Sequence, residues 1–132
     1  MAGDGYATLK RNYLADAERL LDAGDYPQAP EKLWGAAAEM VKTVAAAWRW
    51  QHFSHRELRN AVQQLANETT DADLRRLFAA AEALHANFYE NWMDAATVRA
   101  HAEDARRLIE KLARWRHDPD PTDQVLRGAT NA

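Results

Sequence analysis

Apolar residues recur every three or four positions along almost the whole chain, and this spacing constrains the fold more than any other feature. A representative stripe is Leu74, Leu77, Phe78, Ala81 and Leu84. This period places apolar side chains on one face of an α-helix, whereas a half-buried strand alternates every second residue. No segment shows a convincing strand pattern, and no internal repeat is found. The sequence therefore predicts an all-α protein.

Signals for helix ends divide the periodic region into five segments. Gly24 follows the first segment, residues 6–20, at the position where a left-handed glycine often ends a helix. The regular part of the second helix is expected to begin near Pro30, because proline removes a backbone donor inside a helix. Ser54 and Glu57 have the capping-box spacing and open a short third helix.

Two further caps complete the division. Thr70 or Asp71 is expected to cap the fourth helix, which runs through Trp92, and Asp94 is expected to cap the fifth. Because the connections are short, sequential helices should pack as antiparallel neighbours. The sequence thus predicts an up-and-down antiparallel bundle of four long helices plus one short helix over residues 6–115. Residues 116–132 lose the period and are predicted to form a polar C-terminal tail.

The helices are rich in alanine, as at 36–38, 45–47 and 79–81. Small side chains allow helices to approach closely but fill little volume, so larger rings must supply bulk. The five tryptophans are Trp34, Trp48, Trp50, Trp92 and Trp115. Either some of them line a surface between subunits, with a homodimer as the first expectation, or two or three are half exposed at helix ends.

Composition excludes several classes of protein. The chain has no cysteine, which removes disulfides, thiolate zinc sites and cysteine nucleophiles. No apolar run reaches the length of a membrane span, and the first ten residues lack the pattern of a secretory signal. We therefore expect a cytoplasmic protein with no membrane partner. The net charge of −3 argues against broad electrostatic capture of nucleic acid.

The stretch "ALHANFYENWM", residues 83–93, has the densest mixture of polar and aromatic side chains. His85 falls on the core-facing stripe, with Tyr89 one turn later, and a histidine there is usually hydrogen-bonded to a carbonyl or a carboxylate. We expect Phe88 and Trp92 to fill space left by alanines. A binding pocket would need a second helix. The candidate ligand-binding residues are Trp34, Glu39, His85 and Tyr89.

The stretch "WRWQHFSHRELR", residues 48–59, is the second candidate. His52 and His55 are three apart, a spacing that can hold a metal on a helix, but no cysteine is near and the chain is expected to turn between them. Arginines among aromatic rings can also contact nucleic acid. A cluster that closes the end of a helix is the simplest interpretation. No phosphate loop, zinc-protease motif or serine elbow occurs, so neither a cofactor nor a metal is predicted.

Several blocks together resemble a known family. They are "GDYPQAPEKLWGAAAEMVK", "HRELRNAVQQLANET", "LRRLFAAAEALHANFYENW" and "VRAHAEDARRLIEKL". In order and wording they are similar to the PaREP family of archaeal repeat proteins, which is grouped with the HEPN superfamily of small helical bundles. The resemblance implies a HEPN-like bundle that often assembles as a symmetric homodimer. It implies no assigned biochemical role.

Active HEPN members are metal-independent ribonucleases with an arginine followed, after four to six residues, by a histidine. In this chain Arg49 and His55 match that spacing. The pair departs from the family pattern because it lies in the connector after the second helix and because Trp50 stands where a polar residue is common. Our leading hypothesis is therefore a non-catalytic helical module that self-associates and binds a partner, a small ligand or a nucleotide. A ribonuclease that acts on RNA through Arg49 and His55 is the alternative.

Overall fold

The computed structural model describes residues 15–16, 19–20, 22–24 and 28–116. This part of the chain contains four helices: α1 (Gln28–Ala47), α2 (His55–Thr69), α3 (Asp73–Glu90) and α4 (Ala95–Ala113). Residues 15–16, 19–20 and 22 are also helical, and no strand occurs among the described residues. The prediction of an all-α helical bundle is confirmed. Most of the predicted first helix and residues 117–132 of the predicted tail lie outside the described residues, so the domain division stays a prediction.

Contacts near the helix ends define the directions of the helices. His85, late in α3, pairs with Glu31, early in α1, so these two helices are antiparallel. Lys111, late in α4, contacts Asp71, just before α3, so α3 and α4 are antiparallel as well. Trp48, directly after α1, donates from Nε1 to the carbonyl of Trp115, directly after α4. Helices α1 and α4 therefore end on the same side of the bundle.

One pair of sequential helices differs from the expected antiparallel order. His55, the first residue of α2, stacks on Trp34 in the first half of α1, while Arg59 in α2 contacts Glu82 late in α3. Helix α2 therefore runs in the same direction as α1 and opposite to α3. The connector 48–54 makes this possible because it returns along the bundle instead of turning tightly. A short connection in sequence thus does not imply an antiparallel pair.

The core is built from the apolar stripes that the spacing predicts. The largest side chains with almost no exposure are contributed by all four helices: Leu33, Met40, Val41, Val62, Leu65, Leu74, Leu77, Phe78, Leu84, Leu108, Ile109 and Leu112. Buried alanines at the positions between them let the helix backbones approach closely. Within the described residues, no helix is both long and apolar enough to cross a lipid bilayer.

The predicted helix ends are found except at α3, where the N-cap residue is Ala72 and not Thr70 or Asp71. Ser54 accepts a hydrogen bond from the Glu57 backbone, and the Glu57 carboxylate accepts one from the Ser54 backbone, which completes the capping box. Asp94 caps α4 by accepting from the backbone N–H of Thr97. Gly24 has the predicted left-handed conformation, with φ of 80°. Helix α1 begins at Gln28, two residues before the predicted start, and Pro30 fits because first-turn backbone donors need no helical acceptor.

The tryptophans lie in different environments. Trp34 is buried between helices, whereas Trp48, Trp50 and Trp115 pack partly buried against the core where α1 and α4 end. The rings of Trp48 and Trp50 are 5.3 Å apart, and those of Trp48 and Trp115 are 6.0 Å apart. Trp92 is 61% exposed. Trp48, Trp50 and Trp115 are therefore partly buried near helix ends, and both open interpretations of the tryptophans stay predictions.

Candidate functional site

Trp34 is the centre of a stack that joins three helices. Its ring, on α1, lies 5.1 Å from the ring of His55 on α2 and 5.0 Å from that of His85 on α3, both nearly parallel to it. Phe78 packs against the same indole at 5.7 Å. The regular helices hold these rings in place, because each comes from the apolar stripe of its helix or from the first residue of α2. The result is a preformed aromatic platform with partly exposed histidines.

Each histidine of the stack is paired with a carboxylate from another helix. His85 Nδ1 lies 3.0 Å from Glu31 Oε2 on α1, and His55 Nε2 lies 2.5 Å from Glu82 Oε2 on α3. A carboxylate on one ring nitrogen orients the imidazole and leaves the other nitrogen available. The two pairs therefore fix both rings against Trp34.

Glu82 is also held by a guanidinium. Arg59 Nη2 donates to Glu82 Oε2 at 2.6 Å. Partial burial by itself would raise the pKa of Glu82, but the hydrogen bonds and charges of Arg59 and His55 outweigh it, so the pKa lies below its ordinary value. The hydrogen bond and the charge of Glu82 in turn raise the pKa of Arg59. Glu82 therefore stays ionised and ties α2 to α3.

Three large aromatic side chains project into solvent at the end of α3. Phe88, Tyr89 and Trp92 are 37%, 72% and 61% exposed, and we refer to them as the aromatic end face. The Tyr89 ring meets His85 edge-on at 5.5 Å and Phe88 edge-on at 5.0 Å. The aromatic end face thus adjoins the Trp34 stack. The expectation that Phe88 and Trp92 fill space left by alanines is wrong.

The end of α3 explains the exposure of Trp92. The helix stops at Glu90, and Asn91 has the left-handed conformation with φ of 50°, so Trp92 leaves the apolar stripe. Asn87 is fully buried, and its Oδ1 accepts from the backbone N–H groups of Trp92 and Met93. Asn91 is the sequence signal for this turn, because asparagine tolerates a left-handed φ better than most residues.

A cavity of about 410 Å³ opens beside the stack, between the first turn of α1 and the end of α3. The described residues that line it are Gln28, Glu31, Lys32 and Phe88. It therefore combines a carboxylate, an ammonium group, an amide and a ring. This volume lies within the range of about 300–1,000 Å³ that is usual for small-molecule pockets.

The structure brings together three of the four predicted ligand-binding residues. Trp34, His85 and Tyr89 are neighbours in the stack. Glu39 lies elsewhere on α1, where its carboxylate is 3.6 Å from Lys42 Nζ. Glu31, two turns earlier, supplies the carboxylate that contacts His85. Glu31 was not predicted, because the choice between two carboxylates on α1 depends on the relative height of α1 and α3.

The predicted catalytic pair is divided between two environments. Arg49 is exposed in the turn after α1, with a left-handed φ of 65°, whereas His55 belongs to the Trp34 stack. No contact between the two side chains is found among the described residues. In the same part of the chain, no group of three or more potential metal ligands lies close enough to bind an ion.

Comparison with known proteins identifies the family. The profile of the archaeal PaREP1/PaREP8 family matches residues 5–109. The chain belongs to this family. A crystal structure of a protein from Sulfolobus solfataricus superposes with a TM-score of 0.72 at 25% sequence identity, covering 80% of this chain and 94% of that chain. No curated protein matches the chain at a significant level. The predicted resemblance to PaREP proteins is confirmed.

Proposed function

We propose that this PaREP-family chain is a non-catalytic helical module of the cytoplasm, with a HEPN-like bundle, that forms a homodimer through the aromatic end face. The observation that supports the proposal most strongly is the exposure of Tyr89 and Trp92 beside Phe88 at one helix end. Clustered exposed aromatic rings commonly mark interaction sites, whereas single exposed apolar residues are ordinary. Tyrosine and tryptophan also dominate the binding energy of interfaces.

A second copy of the chain is the occupant that fits this face. The same surface on each subunit can meet around a two-fold axis, as in most homodimers, and rings can then pack against rings. Glu90 and Asn91 lie between the aromatic residues in sequence and supply a polar rim. A pair of aromatic end faces would bury apolar rings that the isolated subunit leaves in water.

Sedimentation equilibrium tests the dimer. We expect the parent protein to dimerise, and we expect Tyr89→Ser combined with Trp92→Ser to weaken dimerisation about tenfold or more. Ala79→Ser, an exposed position on the same helix away from this face, is the matched control and should leave association unchanged. A parent protein that remains monomeric at high concentration would exclude this proposal.

The cavity beside the stack favours a second role, the binding of a small ligand such as a nucleotide. A base would pack near Phe88 and Tyr89, and Lys32 would neutralise an anionic group. Thermal-shift measurements with millimolar nucleotides test this role, since a ligand that binds only the folded state raises the melting temperature. Lys32→Gln should reduce the shift, and Lys42→Gln on the same helix should not.

The alternative function is a HEPN-type metal-independent ribonuclease using Arg49 and His55. Its support is the spacing of the two residues and their exposed position near the connector. Cleavage of mixed RNA in the presence of a chelator, lost in both Arg49→Ala and His55→Ala, would establish it. Absence of cleavage by the parent protein, or equal cleavage by parent and variants, would end it.

A further inference from the structure

A separate cavity of about 220 Å³ lies between the connector 48–54 and one side of α2. It shares no lining residue with the cavity beside the Trp34 stack or with the aromatic end face. The described residues that line it are Trp50, Gln51, Glu57, Asn60, Ala61 and Gln64. Three of the six, Gln51, Asn60 and Gln64, carry a side-chain amide.

The three amides are available to a ligand. Asn60 and Gln64 are one turn apart and so lie on the same side of α2, and Gln51 faces them from the connector. None of these amide groups hydrogen-bonds to another of the described residues. Each amide offers two donors and an acceptor oxygen. Together the three amides can form hydrogen bonds with a ligand that carries several hydroxyl groups, each of which both donates and accepts.

The charge of this cavity excludes an anionic ligand. Glu57 is the only ionisable residue among those that line it, and its Oε1 already accepts from the backbone N–H groups of Phe53 and Ser54, at 2.8 and 3.0 Å. No lysine, arginine or histidine is among these lining residues. A phosphate or carboxylate would therefore meet a negative group without a compensating cation. The chemistry favours a neutral ligand.

Trp50 gives the cavity an apolar wall that is held in place. The indole is partly buried and packs near Trp48, and the Trp50 backbone N–H donates to the carbonyl of Ala45 at 2.7 Å. The negative potential of an aromatic face attracts weakly positive C–H groups. The Trp50 ring therefore suits the C–H face of a saturated ring. The neighbouring amides suit hydroxyl groups around the edge of that ring.

We infer that this cavity binds a neutral polyhydroxylated ring, namely one pyranose unit of a carbohydrate. The C–H face of the sugar packs on Trp50, and its hydroxyls exchange hydrogen bonds with Gln51, Asn60 and Gln64. The volume is below the range of roughly 300–1,000 Å³ typical of drug-sized ligands, which suits a single ring rather than a longer oligosaccharide. This binding role is independent of dimer formation.

Side-chain amide signals in ¹⁵N–¹H NMR spectra test the assignment. The probes are methyl glycosides of glucose, galactose and mannose at up to about 100 mM, because one ring of this size binds in the millimolar range. We expect at least one glycoside to shift the amide signals of Asn60 and Gln64 in a saturable way. Linear sorbitol and glucose 6-phosphate should produce much smaller shifts, since the first lacks a ring and the second is anionic.

Matched variants separate a site from a general effect of sugar on the solvent. Asn60→Ala and Gln64→Ala should each weaken binding about fivefold, as expected for the loss of a neutral hydrogen bond. Gln63→Ala is the control, because Gln63 is also exposed on α2 but does not line the cavity. All three positions are exposed, and dispersed backbone spectra verify folding. Absence of saturable shifts with all three glycosides, or equal weakening by Gln63→Ala, would overturn the inference.

Discussion

Glu82 shows how one side chain can link two helices through more than one partner. Its carboxylate contacts His55 at the start of α2 and Arg59 one turn later. In the sequence Glu82 is one acidic residue among many. Arg59 lies 23 positions earlier, so the sequence gives no sign that the two side chains are in contact. His85 differs from Glu82 because one of its contacts was expected from the sequence. It pairs with a carboxylate, that of Glu31, as expected, but its side chain is partly exposed and not buried in the core.

The lowered pKa of Glu82 predicts a specific response to acid. A carboxyl group whose folded-state pKa lies below its unfolded-state value contributes stability above the unfolded-state pKa, near 4.5, and loses it as pH falls through the folded-state pKa. We therefore expect Glu82→Gln to lower the free energy of unfolding at pH 7. The difference from the parent protein should shrink below about pH 4.5.

Urea unfolding at a series of pH values measures this difference. Glu68→Gln is the control, because Glu68 is exposed on α2 and forms no ion pair with the other described residues. It should leave the pH dependence of stability close to that of the parent. A Glu82→Gln variant with a constant stability difference from pH 7 to pH 3 would contradict the role assigned to this carboxylate.

At the scale of elements, α3 combines a close-packed middle with an exposed end. Ala81 is fully buried where the helix meets its neighbours, whereas Ala79, two positions earlier, is exposed. The 3.6-residue period assigns these faces correctly through Leu84. It fails at Trp92, because the left-handed turn at Asn91 ends the helix before that residue. An apolar period predicts a face only as far as the helix continues.

This difference along α3 predicts unequal costs for the same substitution. Ala81→Leu inserts three carbon atoms into a closely packed contact and should lower the free energy of unfolding by about 1–3 kcal/mol. Ala79→Leu places the same side chain in solvent and should change it by less than about 0.5 kcal/mol. Thermal or urea unfolding of the two variants measures both values. Equal effects would show that α3 does not pack as described.

At the scale of the whole molecule, the aromatic residues are distributed unequally between the two ends of the bundle. Trp48, Trp50 and Trp115 close the end where α1 and α4 finish, and all three are partly buried. The exposed large apolar side chains, Phe53 and the aromatic end face, lie towards the end where α1, α2 and α4 begin. One end of the described bundle is therefore sealed, while the other presents rings to solvent.

If a second copy covers the exposed end, stability must depend on protein concentration. We expect the melting temperature to rise as total protein increases, because association of folded chains shifts the unfolding equilibrium by mass action. Calorimetry over a hundredfold range of concentration measures the rise. The Tyr89→Ser, Trp92→Ser double variant should show a smaller rise in melting temperature over this range, because its folded chains associate more weakly. A constant melting temperature in the parent protein, like that of a stable monomer, would contradict the dimer.

Much of the helical architecture follows from the sequence because its causes are local. The 3.6-residue apolar period, the Ser54–Glu57 capping box, the Asp94 cap and the left-handed Gly24 each depend on residues a few positions apart. The start of α1 was predicted less well, since Pro30 is tolerated anywhere in a first turn. Family membership also follows from the sequence, because it rests on the order of several blocks.

The candidate site depends on the tertiary structure. Trp34, His85 and Tyr89 could be proposed as neighbours from helical faces, but the choice of Glu31 over Glu39 required the relative height of α1 and α3. The parallel direction of α1 and α2, which brings His55 onto Trp34, depends on the path of the connector. Local patterns determine which face of a helix is apolar. Contacts between residues distant in sequence depend on the relative position and rotation of whole helices. No short segment of sequence determines that relative position.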